Sequence, residues 1–281
     1  MATTSPTMYK ISTITATGTI NAVVDLDVLY NGVDIDNGDI VYAEYGSRKC
    51  ESIYKGYAKK LRIARRSSDN QKRFDNQITL VYKYNEGDQE RCVNVKVFKN
   101  GHIQMTGLKH VDQGMSVIHK VIETIEGIRS TQPLVVKESL EAIVPKEGVI
   151  NMQEYKIRLI NCDFRVGFEI RRDQLHRCMC RTNDVMCSFE PCIYPGCKIQ
   201  YWYNSRFEND GVCRCISACH GKGSGHGDGE CKKITIAVFQ SGCIIITGGQ
   251  SMDQVNVAYK FVCDTLSQNY EEVRKKPLRL V

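Results

Sequence analysis

No apolar run in the sequence is long enough to cross a bilayer. The longest, such as Cys243-Ile244-Ile245-Ile246, stop far short of the about 20 residues a spanning helix needs. The first residues, Met-Ala-Thr-Thr-Ser-Pro, lack the basic and apolar regions of a secretion signal, so a soluble chain that stays inside the cell is expected. A Walker loop, a nucleophile elbow, an HExxH motif and clustered carboxylates are also missing, and the six histidines are scattered. Catalysis is therefore not expected. Neither an acidic block nor a long basic run dominates the net charge of +6, so binding to a polyanion would have to come from local patches.

What is present reads as an ordinary globular composition. With 42% hydrophobic and 25% charged residues over 281 positions, disorder and collagen-like classes are excluded. The length suits one large domain or two of about 140 residues. Nine of the fourteen cysteines fall between Cys178 and Cys231. Without a secretion signal they read as reduced thiols and candidate metal ligands rather than as disulfides.

The chain also repeats itself. Tyr9-Lys10-Ile11 recurs as Tyr155-Lys156-Ile157, and Val97-Phe98-x-x-Gly101-x-Ile103-x-x-Thr106-Gly107 recurs as Val238-Phe239-x-x-Gly242-x-Ile244-x-x-Thr247-Gly248. Ungapped pairing of 95–125 with 236–266 gives 10 identities in 31 positions. Two copies are too few for a solenoid, so a pseudo-twofold pair of half-domains is expected. In each, a strand (about 9–20 and 155–166) leads through an irregular, partly helical stretch to paired strands, 77–84 with 92–98 and 197–203 with 233–239. Val93, Val95 and Val97 alternate with Asn94, Lys96 and Phe98, as on a half-buried strand. Asn100-Gly101 and Ser241-Gly242 read as hairpin turns. A closing helix follows in each copy, with Asp112 as a candidate N-cap and Met115, Ile118, Val121, Ile122 and Ile125 as its apolar stripe. The expected class is α+β: an antiparallel sheet with helices on one face and no obvious cover on the other. Phe98 and Phe239 recur on that uncovered face, which is unusual for a solvated surface.

These residues resemble the TATA-box-binding protein (TBP) family. Ser188-Phe189-Glu190-Pro191-Cys192-Ile193-Tyr194-Pro195-Gly196 is similar to that family's Ser-Tyr-Glu-Pro-Glu-Leu-Phe-Pro-Gly, and Val238-Phe239-Gln240-Ser241-Gly242 with Thr247-Gly248 to its Phe-Val-Ser-Gly…Thr-Gly. Val24-Asp25-Leu26-Asp27 and Lys72-Arg73-Phe74 match first-half motifs. The divergence resembles that of copies carried by large DNA viruses.

The resemblance implies a saddle whose curved sheet covers the DNA minor groove, with helices on the convex face, and which kinks base steps with aromatic wedges, the behaviour for which these proteins are the standard example. It implies repeats over 9–128, with an insertion near 32–70, and over 155–268, with a Cys/Gly-rich insertion near 204–232. Residues 1–8 form a tail, 129–154 a linker and 269–281 a basic tail. The implied wedges are Phe74, Phe98, Tyr194 and Phe239. Strand alternation puts Thr13, Thr15, Thr17, Lys96, Gln104 and Thr106 on the DNA-facing sheet of the first repeat. On the second it puts Leu159, Asn161, Asp163, Ala237, Ile245 and Thr247. The family's two base-bonding Asn fall on Thr13 and Leu159, so the sequence preference is expected to differ. Lys72, Arg73 and Ser241 are implied phosphate contacts. Glu190, Cys192 and Ile193 match contacts for a factor IIB-like partner, with RNA polymerase beyond it. A monomer on double-stranded DNA, in the nucleus or a cytoplasmic viral factory, is implied. The alternative is a zinc-stabilised protein-interaction module that kept the saddle and lost DNA binding.

The insertions have no family template. Between Lys55 and Arg73 stand eight basic residues and one acidic, which suits phosphate contacts or equally a solvated helix face. In the second, Cys213, Cys215, Cys219, His226 and Cys231 crowd a Gly-rich loop. That donor set suits structural zinc or, alternatively, reduced unliganded thiols. Cys178, Cys180 and Cys187 with His176 form a weaker group.

Overall fold

The computed structural model describes residues 5–35, 38–51, 76–87, 89–137, 148–182, 185–217, 219 and 221–276. The chain divides into two compact units, Ile14–Ile157 and Met1–Thr13 with Arg158–Val281.

The first unit contains most of β1 (Lys10–Ile20), then β2 (Val23–Val24), α1 (Leu26–Gly32), β3 (Ile40–Tyr45), β4 (Arg48–Glu51), β5 (Gln77–Glu86), β6 (Gln89–Phe98), β7 (His102–Leu108) and α2 (Gln113–Thr131). A short β8 (Val136–Lys137) pairs with β2, so the expected linker adds a ladder to this unit. The strand order is β1-β7-β6-β5-β3-β4, antiparallel throughout. Part of the expected insertion is thus a hairpin, β3–β4, at the edge of the sheet. The basic stretch from 55 to 73 lies outside the described residues.

The second unit repeats this order. It holds most of β9 (Met152–Arg165), then α3 (Arg172–Thr182), β10 (Met186–Ser188), β11 (Cys197–Tyr203), β12 (Lys232–Val238), β13 (Cys243–Gly249), α4 (Met252–Gln268) and α5 (Tyr270–Val273). The strands run β9-β13-β12-β11-β10, also antiparallel. Strand for strand, β9, β13, β12, β11 and β10 answer to β1, β7, β6, β5 and β3. The α+β class expected from the sequence holds in each unit.

Period-2 patterning explains why these segments are strands. Ile14, Ala16 and Ile20 on β1, Val93, Val95 and Val97 on β6, and Ile103 and Met105 on β7 are buried, as are Ile118, Val121 and Ile125 of α2. In the second unit Ile160, Cys162 and Phe164, Ile234 and Ile236, and Ile244 and Ile246 are buried, as are Val255, Ala258, Val262 and Leu266 of α4. At roughly 1.5–3 kcal/mol for each large side chain, this burial is what holds each sheet to its helix.

The repeated glycines carry a backbone reason. Gly107 (φ +104°) and Gly248 (φ +102°) sit where the ladders β1–β7 and β9–β13 skip a residue, a β-bulge at the same place in both units. Gly101 and Gly242, at φ +76° and +75°, turn the chain so tightly that a Cβ would lie 2.4 Å from the Ala22 carbonyl oxygen and 2.3 Å from that of Phe168.

The helix starts depart from expectation. Asp112 occupies the cap position of α2 but makes no side-chain cap bond. In α4 the cap is Ser251, which accepts from the Gln254 N–H, while Asp253 lies in the first turn. The shared Gln does the equivalent work. Gln113 Oε1 accepts from the Lys109 N–H at 2.7 Å, and Gln254 Oε1 from the Gln250 N–H at 2.7 Å.

Candidate nucleic-acid interface and cysteine cluster

Opposite the helix-facing rows, alternate side chains of each sheet remain partly exposed. In the first unit Thr15, Thr17, Lys96 and Gln104 are half-buried and Thr106 is exposed. Registers align them in rows across the strands: Thr17, Gln104, Lys96 and Thr79 stand side by side, then Thr15, Thr106 and Asn94. The second unit has the corresponding rows Asp163, Ile245, Ala237 and Lys198, then Asn161, Thr247, Thr235 and Gln200. Thr13 and Leu159 are half-buried on the same sides of β1 and β9. The Thr247 hydroxyl donates to Asn161 Oδ1. Ala237, at 5% exposed, lies in its row but presents little surface.

The rows reveal a cation that the sequence reading missed. Lys96 on β6 is replaced by Ala237 on β12, but Lys198 takes over from Thr79 on the neighbouring strand. Each row therefore keeps one lysine. Alternation outward from the buried Ile199 and Tyr201 is the signal that could have found Lys198. Asp163 is the one carboxylate in these rows and forms no ion pair among the described residues.

Aromatic rings stand at corresponding strand ends. Phe98 closes β6 and packs at 5.8 Å, tilted by 55°, on the His102 ring. Phe239 follows β12, and its ring lies 5.8 Å from that of Tyr194, tilted by 59°. Lys198 Nζ stands 4.2 Å above the Tyr194 ring, a cation–π contact. The pair rests on Gly196, whose absent Cβ would fall 2.6 Å from Tyr194 and 3.3 Å from Phe239. Phe74, Lys72 and Arg73 lie outside the described residues. Ser241 is exposed in the turn after Phe239, where its Oγ accepts from the Cys243 N–H at 3.4 Å. Glu190, Cys192 and Ile193 are exposed on a turn closed by the Glu190 carbonyl, which accepts from the Ile193 and Tyr194 N–H groups at 2.9 Å. Ile193 is 85% exposed, unusual for so apolar a side chain.

Four of the five proposed metal ligands come together. The Sγ atoms of Cys213, Cys215, Cys219 and Cys231 all lie within 4.8 Å of one another. Individual separations are 2.9 Å for Cys219–Cys231, 3.4 Å for Cys213–Cys231 and 3.7 Å for Cys213–Cys219. Thiolates held at about 2.3 Å around a tetrahedral ion stand about 3.8 Å apart, so this set could hold a metal ion. His226 is the correction: it is exposed and not part of the group. Nor do Cys178, Cys180, Cys187 and His176 form a second one. Cys180 stands 3.7 Å from His176 Nε2 and Cys187 3.3 Å from Cys197 instead.

Two residues without a prior role build the cluster. Trp202 packs against Cys219 and Cys231 and donates its indole N–H to the Gly221 carbonyl at 3.2 Å. Asp228 accepts from the backbone N–H groups of Ile216, Ser217 and Gly229 at 3.1–3.4 Å, tying both arms of the loop together. Burial raises the Cys219 thiol, but hydrogen bonds from Cys231 and the Gly223 backbone outweigh it and bring the thiol down to about 7. Burial, with the thiols of Cys219 and Cys213, pushes Cys231 the other way. One readily ionised thiol beside two, Cys213 and Cys231, that burial holds above the usual thiol range suits a site completed by a cation.

Residues 154–269 match the family described as "Transcription factor TFIID (or TATA-binding protein, TBP)". The chain is also 27% identical over 276 residues to the "TATA-box-binding protein-like" protein of Acanthamoeba polyphaga mimivirus, covering 96% of this chain and 68% of that relative. The chain is a divergent, TBP-like one. Among solved structures, Methanococcus jannaschii TBP aligns with 93% of this chain and 99% of its own at 16% identity and a TM-score of 0.49. No helix among the described residues is long and apolar enough to cross a membrane.

Proposed function

We propose that this TBP-like chain is a non-enzymatic transcription-initiation factor that binds promoter DNA through the minor groove and bends it. The observation that carries the reading is the recurrence of Phe98 and Phe239 at equivalent strand ends, each half-buried against another aromatic ring. Phe98, Tyr194 and Phe239, with Phe74, serve as wedges. Thr13, Thr15, Thr17, Lys96, Gln104, Thr106, Leu159, Asn161, Ala237, Ile245 and Thr247 form the floor. Lys72, Arg73 and Ser241 contact phosphates. The exposed Glu190, Cys192 and Ile193 offer a docking turn to a factor IIB-like protein and, through it, to RNA polymerase. Zinc fits the four cysteines, since thiolate donors at these separations are typical of structural zinc. It would hold the loop on Trp202 without taking part in any reaction. The chain acts as a monomer, in the nucleus or a cytoplasmic viral factory.

A second reading has one specific observation behind it. Asp163 places in the floor a carboxylate without an ion pair among the described residues, where it would repel phosphate and groove alike, as an interaction module without DNA binding would tolerate. A mobility shift on A·T-rich duplex at low salt separates the two. Retarded duplex supports the DNA reading, and its absence at micromolar protein supports the module.

A further inference from the structure

Two thiols outside the metal-type cluster bracket the turn that carries Glu190, Cys192, Ile193 and Tyr194. The Sγ atoms of Cys187 and Cys197 lie 3.3 Å apart. Cys187 stands opposite Ile199 in the β10–β11 ladder, and Cys197 comes two residues before Ile199, so both side chains leave the sheet on the same face. A disulfide needs the two sulfurs to close to about 2.05 Å. Their access differs. Cys197 is buried, whereas Cys187 is half-buried on a strand at the edge of the sheet.

The chain between them is lightly held. The edge strand β10 has three residues, Met186–Ser188, and within 188–196 only Gly196 is buried. The turn is closed by the Glu190 carbonyl and pinned by Arg172, which donates to the Pro195 carbonyl and stands 5.1 Å over the Phe189 ring. A short, exposed segment of this kind opens locally far more readily than a core strand does.

We propose that Cys187 and Cys197 are a reversible disulfide site that staples the 188–196 turn, with a small-molecule disulfide such as oxidised glutathione as the oxidant. The half-exposed Cys187 loses its proton and attacks one glutathione sulfur. A Cys187–glutathione bond forms, the glutathione S–S bond breaks, and the departing thiolate takes up a proton. Cys197 then loses its proton and attacks the Cys187 sulfur, releasing the second glutathione as a thiol. Two protein thiols are oxidised and one glutathione disulfide is reduced. The hydrogen bond with Cys197, and then burial, hold the Cys187 thiol above its usual range, so the first attack is slow. A bridge over so short a loop lowers the population of the opened turn by about tenfold to hundredfold. Oxidation therefore orders the exposed Glu190–Ile193 turn and the Tyr194 side of the aromatic pair together.

The test needs no duplex. The full chain carrying Cys192→Ser, which removes the exposed thiol between the two, is equilibrated with glutathione buffers of rising oxidised fraction, quenched in acid and alkylated. Trypsin releases residues 182–198 as one peptide, which then holds Cys187 and Cys197 as its two thiols. In oxidised buffer this peptide should be two hydrogens lighter and carry no alkyl group, and dithiothreitol should reverse the change. Chymotryptic cleavage of the native chain after Phe189 should slow by about tenfold on oxidation. Adding Cys187→Ser should remove that slowing with the circular dichroism unchanged, which separates the staple from oxidation of the 213–231 cysteines. Recovery of the peptide with both thiols alkylated at every buffer ratio, or with glutathione retained on Cys187 as the end product, would overturn the inference. So would a bridge that forms and leaves cleavage after Phe189 as fast as before.

Discussion

The ring of Tyr194 leans on that of Phe239 at a centroid distance of 5.8 Å, across 45 residues of sequence, and Gly196 leaves the room for both. The chain before β11 and the chain after β12 meet only because those strands pair from Cys197 with Val238 onward. The aromatic pair is therefore a product of strand register, and the wedge mechanism can be tested through it.

Leaving such rings in water forgoes roughly 1.5–3 kcal/mol of burial each, which insertion between base steps would recover. Phe98→Ala combined with Phe239→Ala should abolish the bend of an end-labelled duplex in fluorescence transfer and weaken binding. Circular dichroism should not change, since neither ring belongs to the helix-facing core. Parental bending by the double variant would refute the wedges. Gly196→Ala should act in the same direction more weakly, by displacing the Tyr194 ring.

Elemental analysis of reduced protein should find zinc, and Cys231→Ser should lose it. Trp202 is the only tryptophan and packs on Cys219 and Cys231, so its emission reports the loop alone. Chelation should shift that emission to longer wavelength as the ring gains water, while His226→Ala leaves both metal content and emission as they were. Metal-free protein with unshifted emission would argue for unliganded thiols.

The bulge glycines should be costly to replace. Gly248→Ala forces a side chain to φ +102° with its Cβ 3.0 Å from the Lys233 carbonyl oxygen. About 1–3 kcal/mol of stability should be lost in urea denaturation. Gly127→Ala is the contrast, a helical position with nothing within 4 Å of the added carbon. There a gain of roughly 0.5–1 kcal/mol is expected.

Stability should fall in alkali through Cys162. Burial first, then the Asp163 carboxylate, raise its thiol from 9.0 to about 12 against a hydrogen bond with Ile246. A folded-state value above the unfolded one favours the folded chain fully below pH 9, and this contribution disappears as pH rises from there through about 12. Cys162→Val should flatten the decline in denaturation midpoint between about pH 8 and pH 10.5. An unchanged slope would place the titration elsewhere.

The sequence by itself determined the repeat, the strands and closing helices of both copies, and the crowding of four cysteines between 213 and 231. Periodicity and spacing are local, and an amphipathic strand or helix states its own buried side without reference to its partners. Val93, Val95 and Val97 declared their inward face in this way, and Phe98 its outward one. The tertiary structure decided what depends on partners distant in sequence. Register placed Lys198 in the row that Lys96 occupies in the other repeat, and tied the Asn161 carbonyl to Thr247. Loop closure onto Trp202 chose Cys231 and left His226 exposed, although His226 is the nearer of the two to Cys219 in the sequence. Residues 40–51 form a hairpin because β5 offers them an edge to pair with, a partner that nothing within those residues specifies. Hydrogen-bond register and burial are properties of pairs of segments, and only the folded chain chooses the pairs.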